Sequence, residues 1–185
     1  MIAPRITAIL AGLVLFASIS RADHLADRLP ASGKPENKLA GIHLTERTRL
    51  REIIKRYGKP TRVKSWESGN PNWSNQYEYY WQRPGLNLRV VVERLPQKIP
   101  AWEYVSLIEA NVRTSAKVGK TGRGLRIGQS LTDIRRLYGR RFKLRDIPKL
   151  KIHDVMFQWR QEEYSLVATL DSRNRIVGLS LSAPE

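Results

Sequence analysis

The sequence predicts an α+β fold of two tandem repeats, each a short helix packed on an antiparallel sheet of about four strands. Two segments with helical spacing of apolar residues both end in Tyr-Gly, at Tyr57 and at Tyr138, which lie 81 positions apart. After each segment the apolar period changes from about 3.6 residues to two, as it does where strands follow a helix. Equivalent segments at a constant offset indicate an internal repeat.

The first predicted helix runs to Tyr57. Its apolar face lies at positions i, i+3, i+4 and i+7 and is formed by Leu50, Ile53, Ile54 and Tyr57. Thr45 or Thr48 is the candidate N-cap, because a hydroxyl can accept a hydrogen bond from an orphan N–H of the first turn. Gly58 is suited to end the helix, and Pro60 prevents the helix from resuming.

The second predicted helix starts at a capping box. The Ser130 hydroxyl can accept a hydrogen bond from an N–H of the first turn, and the Asp133 carboxylate interacts favourably with the positive end of the helix dipole. The apolar face is formed by Leu131, Ile134, Leu137 and Tyr138. Gly139 ends this helix in the way that glycine ends the first.

Alternating apolar residues follow both helices and predict the strands. In the first repeat they are Tyr77, Tyr79, Trp81, Leu86, Leu88, Val90 and Val92, with a last strand around 104–112. In the second repeat they are Val155, Phe157, Trp159, Tyr164, Leu166, Ala168 and Leu170, with a last strand around 176–181. The alternating residues, from Tyr77 and Val155 onward, are offset by 78 rather than 81, which a loop shortened by three residues explains.

The first residues are typical of a secretory signal peptide. Arg5 precedes an apolar run over 6–19, and the small residues Ser20 and Ala22 then form a cleavage site. A membrane anchor is the alternative, but the run is shorter than the roughly 20 residues needed to cross a bilayer. We therefore expect cleavage near Ala22 and a mature chain without a transmembrane segment, in the periplasm or secreted.

Four parts of the chain follow from these patterns. Residues 1–22 are the predicted signal peptide, and residues 23–40 are a predicted flexible linker, because they are rich in small and polar residues and lack periodicity. The first repeat is expected over 41–118 and the second over 119–185. Repeats of this size are thin for independent stability without disulfides, so we expect them to pack together.

Catalytic and metal-binding motifs are missing from the sequence. The chain has no cysteine and three isolated histidines, and no serine lies in a nucleophile-elbow context. We therefore predict no enzyme activity, cofactor or metal ion; an enzyme would need a site assembled from scattered residues. The formal net charge of +16 favours anionic partners such as lipopolysaccharide, anionic lipid or acidic proteins, and nucleic acid is not expected outside the cytoplasm.

One face of the predicted strands has the composition of a protein-binding surface. The alternating aromatic residues are assigned to the core. The opposite face combines Tyr, Arg and Met with small polar groups, a mixture typical of interfaces. We predict partner binding by Tyr80, Arg89, Val91, Met156, Gln158 and Arg160. The expected partner is another envelope or extracellular protein.

A second candidate surface consists of basic residues along the two helices and just after them. These cations are either the solvated backs of helices whose other faces are buried, or a duplicated ridge that meets a polyanionic surface. In the second case polyanion binding is assigned to Arg47, Arg51, Lys55, Arg62, Arg135, Arg136 and Arg140. The ligand would be lipopolysaccharide or anionic lipid.

A helix ending in Tyr-Gly, a basic loop, and a meander closing with Asp-Ser-Arg-Asn-Arg-Ile-Val-Gly-Leu-Ser-Leu over 171–181 together resemble the SmpA/OmlA superfamily. Its tandem-repeat form includes the β-lactamase inhibitory protein, and its members include the small lipoprotein of the outer-membrane barrel-assembly machine. The resemblance covers nearly all of 41–183 and implies non-enzymatic protein binding through a sheet surface. The chain differs in having no cysteine for a lipid or for disulfides. We therefore expect an exported protein-binding module of the cell envelope.

Overall fold

A computed structural model of the 185-residue chain describes residues 34–45, 48–67, 69, 74–94, 103–159 and 164–183. The predicted signal peptide lies outside the described residues. Buried apolar side chains from Leu39 to Ala183 form one hydrophobic cluster. Its largest fully buried members include Trp81, Tyr138 and Phe157. A shared core of this kind accounts for a stable fold without disulfides.

Two helices, α1 (Leu50–Tyr57) and α2 (Leu131–Tyr138), lie where the apolar spacing predicts them. The capping box of α2 is confirmed. The Asp133 N–H donates to the Ser130 hydroxyl, and the Asp133 carboxylate accepts from the Ser130 N–H. Both bonds lie within four consecutive residues, which is why the sequence alone predicts them.

The start of α1 differs from the prediction. Its N-cap residue is Arg49, which makes no side-chain cap, so the assignment to Thr45 or Thr48 is wrong. The Leu50 N–H instead donates to the Glu103 carboxylate at 2.9 Å. A group more than fifty residues away in the chain therefore satisfies the orphan donor that a local cap normally satisfies.

Both helices end at a glycine, as predicted. Gly58 and Gly139 have φ values of +73° and +82°, in the left-handed region where a side chain would be strained. The Gly58 N–H donates to the Ile54 carbonyl at 2.7 Å, and the Gly58 carbonyl accepts from the Trp81 indole N–H at 2.8 Å. The end of α1 is thereby attached to a strand of the sheet.

Ten strands form two antiparallel sheets in the described residues. β1 (Lys38–Leu39) and β2 (Ile42–His43) make a short hairpin. The other strands are β3 (Arg62–Trp66), β4 (Asn75–Arg83), β5 (Leu86–Arg94), β6 (Glu103–Asn111), β7 (Lys143–Ile147), β8 (Ile152–Gln158), β9 (Ser165–Leu170) and β10 (Ile176–Ser182). They form one eight-stranded sheet, the large sheet, in the order β3-β4-β5-β6-β10-β9-β8-β7.

The predicted fold class, two tandem repeats that each pack a helix on a sheet of about four strands, is wrong. The described residues are mostly β, with two helices, a two-stranded sheet and a single eight-stranded antiparallel sheet. β6 pairs with β10 over 107–111 and 178–182, so the strands that follow α1 and those that follow α2 share one sheet. An unpaired strand edge exposes backbone N–H and C=O groups, and this pairing removes two such edges.

The folded part begins before residue 41. The linker predicted over 23–40 includes residues 34–40, which the structure describes, and Leu39 is fully buried there. β1 lies within this segment and pairs with β2 across a turn in which Ala40 and Gly41 both have positive φ. This short hairpin supplies apolar side chains to the core.

The Glu36 carboxylate attaches the N-terminal segment to the rest of the fold. Glu36 is only 3% exposed. Its carboxylate accepts from the backbone N–H groups of Gly122 and Arg123, at 3.2 and 3.1 Å, and from the Tyr138 hydroxyl at 2.7 Å. The N–H groups of Asn37 and Lys38 also donate to it. A buried carboxylate with this many donors satisfies its hydrogen-bonding capacity without water.

Candidate functional site

The large sheet has two faces of different character. The two helices pack on one face, where the rings of Tyr57 and Trp81 lie 6.4 Å apart and those of Tyr138 and Phe157 lie 5.2 Å apart. The aromatic residues predicted for the core lie on this face. The opposite face, called the outer face below, carries the intervening residues, such as Tyr80 on β4.

The strand register aligns the outer-face side chains into continuous rows. One row crosses the sheet from β3 to β7 as Arg62, Tyr80, Arg89, Glu109, Ser180, Val167, Met156 and Lys143. A second row runs from β3 to β8 as Lys64, Glu78, Val91, Leu107, Ser182, Ser165 and Gln158. Because neighbouring strands lie about 4.8 Å apart, the first row is roughly 34 Å long.

An ion network fixes the part of the outer face formed by β4, β5 and β6. The Arg89 guanidinium donates to the Glu78 carboxylate and, at 2.9 Å, to the Glu109 carboxylate. The Tyr80 hydroxyl also donates to Glu78. The side chains of Arg89, Glu78 and Glu109 are 21%, 12% and 10% exposed. Charge-assisted bonds to two carboxylates hold the guanidinium in one orientation.

The network shifts the pKa values of its members in different directions. Burial lowers the pKa of Arg89, but the hydrogen bonds and charges of Glu78 and Glu109 outweigh burial and raise it above its usual value. Burial raises the pKa of Glu78, yet hydrogen bonds from Arg89 and Tyr80 leave it below the usual value. For Glu109 burial dominates over Arg89, and the pKa is raised. The deeper carboxylate is therefore the one more easily protonated.

Cations lie over aromatic rings at the β3 edge of the outer face. The Arg62 guanidinium is 5.5 Å from the centre of the Tyr80 ring, and the Lys64 ammonium is 5.6 Å from the centre of the Trp66 ring. These are cation–π distances. Trp66 is 49% exposed, so part of this aromatic surface contacts water.

The β8–β10 part of the outer face carries smaller side chains. The hydroxyls of Ser165 and Ser182 are hydrogen-bonded to each other across β9 and β10. The Thr169 hydroxyl donates to the Asp154 carboxylate at 2.8 Å. Met156 is half-buried among these groups. Small, mutually satisfied polar groups leave this part less charged than the region around Arg89.

Five of the six predicted partner-binding residues are described, and all five lie on the outer face: Tyr80, Arg89, Val91, Met156 and Gln158. Arg160 lies outside the described residues. The five form one group on β4 and β5 and another on β8. Four strand spacings, roughly 19 Å, separate β5 from β8. Their role in binding stays a prediction.

Sequence reasoning misses the residues that join these two groups. Glu109 on β6 and Ser180 on β10 are register partners in the middle of the large sheet. Because Ile108 and Ala110 are buried in the core, alternation alone is a signal that places Glu109 on the outer face. Its position beside Ser180 depends on the β6–β10 pairing, which no local pattern contains.

Six of the seven predicted polyanion-binding residues are described, and all six are exposed: Arg51, Lys55, Arg62, Arg135, Arg136 and Arg140. Arg47 lies outside the described residues. Arg62 is not part of a helix ridge, because it lies on the outer face beside Tyr80. Arg136 pairs with Asp133 at 2.9 Å within α2. Cations in the last turns of both helices also interact favourably with the negative end of the helix dipole. Part of the basic cluster therefore has a structural role.

Two further properties of the described residues concern metals and membranes. No group of three or more His, Cys, Asp or Glu side chains within them could hold a metal ion. No helix in the same part of the chain has the length and apolar character needed to cross a membrane.

Comparisons with known proteins give little for this chain. The sequence matches no protein-family model. It also matches no curated protein. A solved structure, that of a DUF4309 family protein (YjgB) from Bacillus subtilis subsp. subtilis str. 168, is similar over 76% of this chain and 81% of that chain, with 14% sequence identity and a TM-score of 0.41. At this level the likeness carries no conclusion about fold or function. The resemblance to the SmpA/OmlA superfamily stays a prediction.

Proposed function

We propose that the chain is an exported, non-enzymatic protein-binding module of the cell envelope, and that the outer face of the large sheet binds the partner. The observation that carries the proposal is the strand register, which aligns Tyr80, Arg89 and Met156 in one row across the sheet. Residues of these types are frequent in protein interfaces. The signal-peptide pattern over 1–22 supports export.

The dimensions of the outer face fit a protein partner. The first row is roughly 34 Å long and the second roughly 29 Å. A third row, two residues further along each strand, contains Gln82, Asn87, Gly178, Thr169, Asp154 and Arg145. With their margins the three rows cover a width of roughly 20 Å. The resulting area of roughly 700 Å² is close to the about 800 Å² that each partner buries in a standard interface. A small ligand needs a concave pocket rather than an extended row of side chains.

The ion network supplies specificity at this surface. Arg89 is held between Glu78 and Glu109, so the surface presents a cation between two anions at fixed positions. A partner that offers the complementary pattern gains affinity without ordering a long flexible side chain. Tyr80, which donates to Glu78, is the aromatic neighbour of this pattern. Tyr and Arg are the residue types that most often dominate binding energies.

The test replaces Tyr80, Met156 and Gln158 together by alanine. The partner is first captured from an envelope extract, identified, purified and titrated against the wild-type chain by calorimetry. We expect the triple variant to bind it about 1,000-fold more weakly, because two dominant contacts contribute about 2 kcal/mol each and a tenfold loss corresponds to about 1.4 kcal/mol.

The matched control is a triple variant on the helix-covered side, Arg51→Ala, Lys55→Ala and Arg135→Ala, all at exposed positions. This control should bind within about twofold of the wild type, since exposed residues outside an interface contribute little. Equal affinity of the outer-face variant and the wild type would show that the outer face is not the binding surface.

A second candidate function is binding of lipopolysaccharide or anionic lipid through the basic residues of the two helices. The observation in its favour is that three basic side chains are exposed on the helices: Arg51 and Lys55 on α1, and Arg135 on α2. Each basic residue near an anionic surface contributes about 1 kcal/mol. Several together suffice for attachment at low ionic strength.

Salt dependence separates the two candidates. On vesicles that contain phosphatidylglycerol, electrostatic attachment should fall steeply between about 0.05 M and about 0.5 M salt, because the Debye length shortens from roughly 14 Å to roughly 4 Å. The triple variant Arg51→Glu, Lys55→Glu, Arg135→Glu should be released at low salt, whereas the outer-face triple variant should sediment like the wild type. Retention of the wild type at the higher salt concentration contradicts an electrostatic mechanism.

A further inference from the structure

We propose that strand β3 is a docking edge for an acidic, extended peptide segment of a partner protein, which adds to the large sheet beside β3. Arg62 and Lys64 of β3 are also the first members of the two outer-face rows. The docking edge itself is the unpaired backbone side of β3, and the inference does not depend on the proposed function. In the described residues β3 pairs with β4 on one side and with no strand on the other. Its free side therefore offers backbone N–H and C=O groups to an added strand.

The side chains of β3 are more exposed than those of the interior strands of the large sheet, as is usual for an edge strand. Four of its five residues are exposed and the fifth is intermediate. Val63 is 50% exposed and Trp66 is 49% exposed. An added strand would cover both of these apolar side chains, which gains free energy in proportion to the apolar area removed from water.

The charges of β3 identify the chemistry of the segment. Arg62 and Lys64 are two residues apart, on the outer face, and each lies over an aromatic ring. β3 itself, from Arg62 to Trp66, contains no acidic residue. Because a strand places alternate side chains on the same face, a segment with acidic residues two apart and apolar residues between them matches Arg62 and Lys64 on one face and Val63 on the other.

A second copy of this chain does not fit the same edge. The opposite edge of the large sheet, β7, has the same order of residue types, because Lys143, Leu144 and Arg145 stand where β3 has Arg62, Val63 and Lys64. Pairing between edges of two copies would therefore bring like charges together, which opposes association. Charge complementarity favours an acidic partner instead.

β7 differs from β3 in ways that make it a suitable internal control. Leu144 is 53% exposed, much like Val63. β7 also contains Asp146, whose carboxylate lies 2.7 Å from the His153 ring nitrogen. An acidic residue on the strand repels an acidic segment, and no exposed tryptophan lies on β7 itself. We therefore assign the docking role to β3 alone.

The test uses the full chain and a fluorescent synthetic peptide of alternating glutamate and valine. Binding is followed by anisotropy, and hydrogen exchange identifies the backbone amides that become protected. We expect protection over 61–67, which contains β3, and not over β7. A peptide of the same sequence with alternate N-methylated amides, which cannot form a complete ladder, should bind at least about tenfold more weakly.

Matched variants distinguish binding at the β3 edge from nonspecific attraction to the net positive charge of the chain. The double variant Arg62→Ser, Lys64→Ser should weaken peptide binding about tenfold, and Val63→Asp should weaken it further. The equal changes Lys143→Ser, Arg145→Ser and Leu144→Asp on β7 should leave it within about twofold. Equal losses on both edges, equal binding of the N-methylated peptide, or protection away from β3 in the wild-type chain would overturn the proposal.

Discussion

Replacing Tyr138 by alanine is expected to lower the free energy of unfolding by about 3 to 5 kcal/mol, because an aromatic side chain is removed from a closely packed core. Tyr138 is 2% exposed, and its ring lies 5.2 Å from that of Phe157 and 6.3 Å from that of Trp159. Such a loss is a large part of the about 5 to 15 kcal/mol that stabilises a typical domain. Urea unfolding monitored by circular dichroism measures it.

The hydroxyl of Tyr138 adds a polar contribution that a second variant isolates. It donates to the Glu36 carboxylate at 2.7 Å and lies 2.7 Å from the Thr121 hydroxyl. Burial, together with the negative charge of Glu36, raises the pKa of Tyr138, so the phenol stays protonated and remains a donor. Tyr138→Phe should cost about 1 to 3 kcal/mol, because it leaves a buried carboxylate with one donor fewer.

A double-mutant cycle that combines Tyr138→Phe with Glu36→Ala tests the contact between the two side chains, because alanine removes the acceptor. The combined loss should be smaller than the sum of the single losses by about 0.5 to 3 kcal/mol, because the two groups share one hydrogen bond. Additive losses would show that the bond between Glu36 and Tyr138 contributes nothing. A Tyr138→Ala protein that unfolds at the same urea concentration as the wild type contradicts the packing described for this ring.

Replacing Arg89 by alanine is expected to destabilise the fold by about 2 to 4 kcal/mol at pH of about 7. The change leaves the Glu78 and Glu109 carboxylates, 12% and 10% exposed, without the cation between them. The cost stays below the about 3 to 5 kcal/mol of a fully buried pair because these side chains keep some contact with water. The midpoint of urea unfolding is the measurement.

The pH dependence of this loss has a defined sign. In the intact protein the pKa of Glu78 is lowered, so Glu78 stabilises the fold at pH values above its unfolded-state pKa, and this stability is lost as the pH falls. The pKa of Glu109 is raised, so its contribution changes with pH in the opposite direction. Without Arg89 both carboxylates become harder to ionise, and both pKa values rise. The difference between variant and wild type should therefore shrink as the pH falls from about 7 to about 4, where the carboxylates take up protons.

Neutral partners provide the control for this prediction. Adding Glu78→Gln and Glu109→Gln to Arg89→Ala should recover most of the loss at neutral pH, because no unpaired charge is left in a buried position. A destabilisation that stays constant with pH, or that the glutamines do not relieve, would mean that Arg89 acts through packing rather than through the ion network.

Much of the local structure is predictable from the sequence, because its determinants lie close together in the chain. The capping box at Ser130 and Asp133 and the glycines that end both helices depend on contacts within one or two turns. The alternation from Tyr77 to Trp81 places these aromatic residues on the core face. The same alternation places Tyr80 and Arg89 together on the outer face.

Such local patterns predict only part of the candidate site. Alternation selects which residues of β4, β5 and β8 face outward, but it does not give the distance between strands or their order. Glu109 completes the network around Arg89 only because β6 lies beside β5, with Arg89 opposite Glu109. The Glu103 carboxylate that receives the first N–H of α1 is likewise a neighbour in space and not in sequence.

By itself the sequence determined the helices, the faces of the strands and the basic character of the chain, because each follows from residue types a few positions apart. Tertiary structure decided that β6 and β10 pair, so that a single sheet replaces two separate ones. It also decided that residues 34–40 belong to the fold, through the buried carboxylate of Glu36. Strands pair, and buried polar groups are satisfied, through partners that lie far away in the chain. These contacts become favourable only when the whole core forms, which is why local sequence patterns do not contain them.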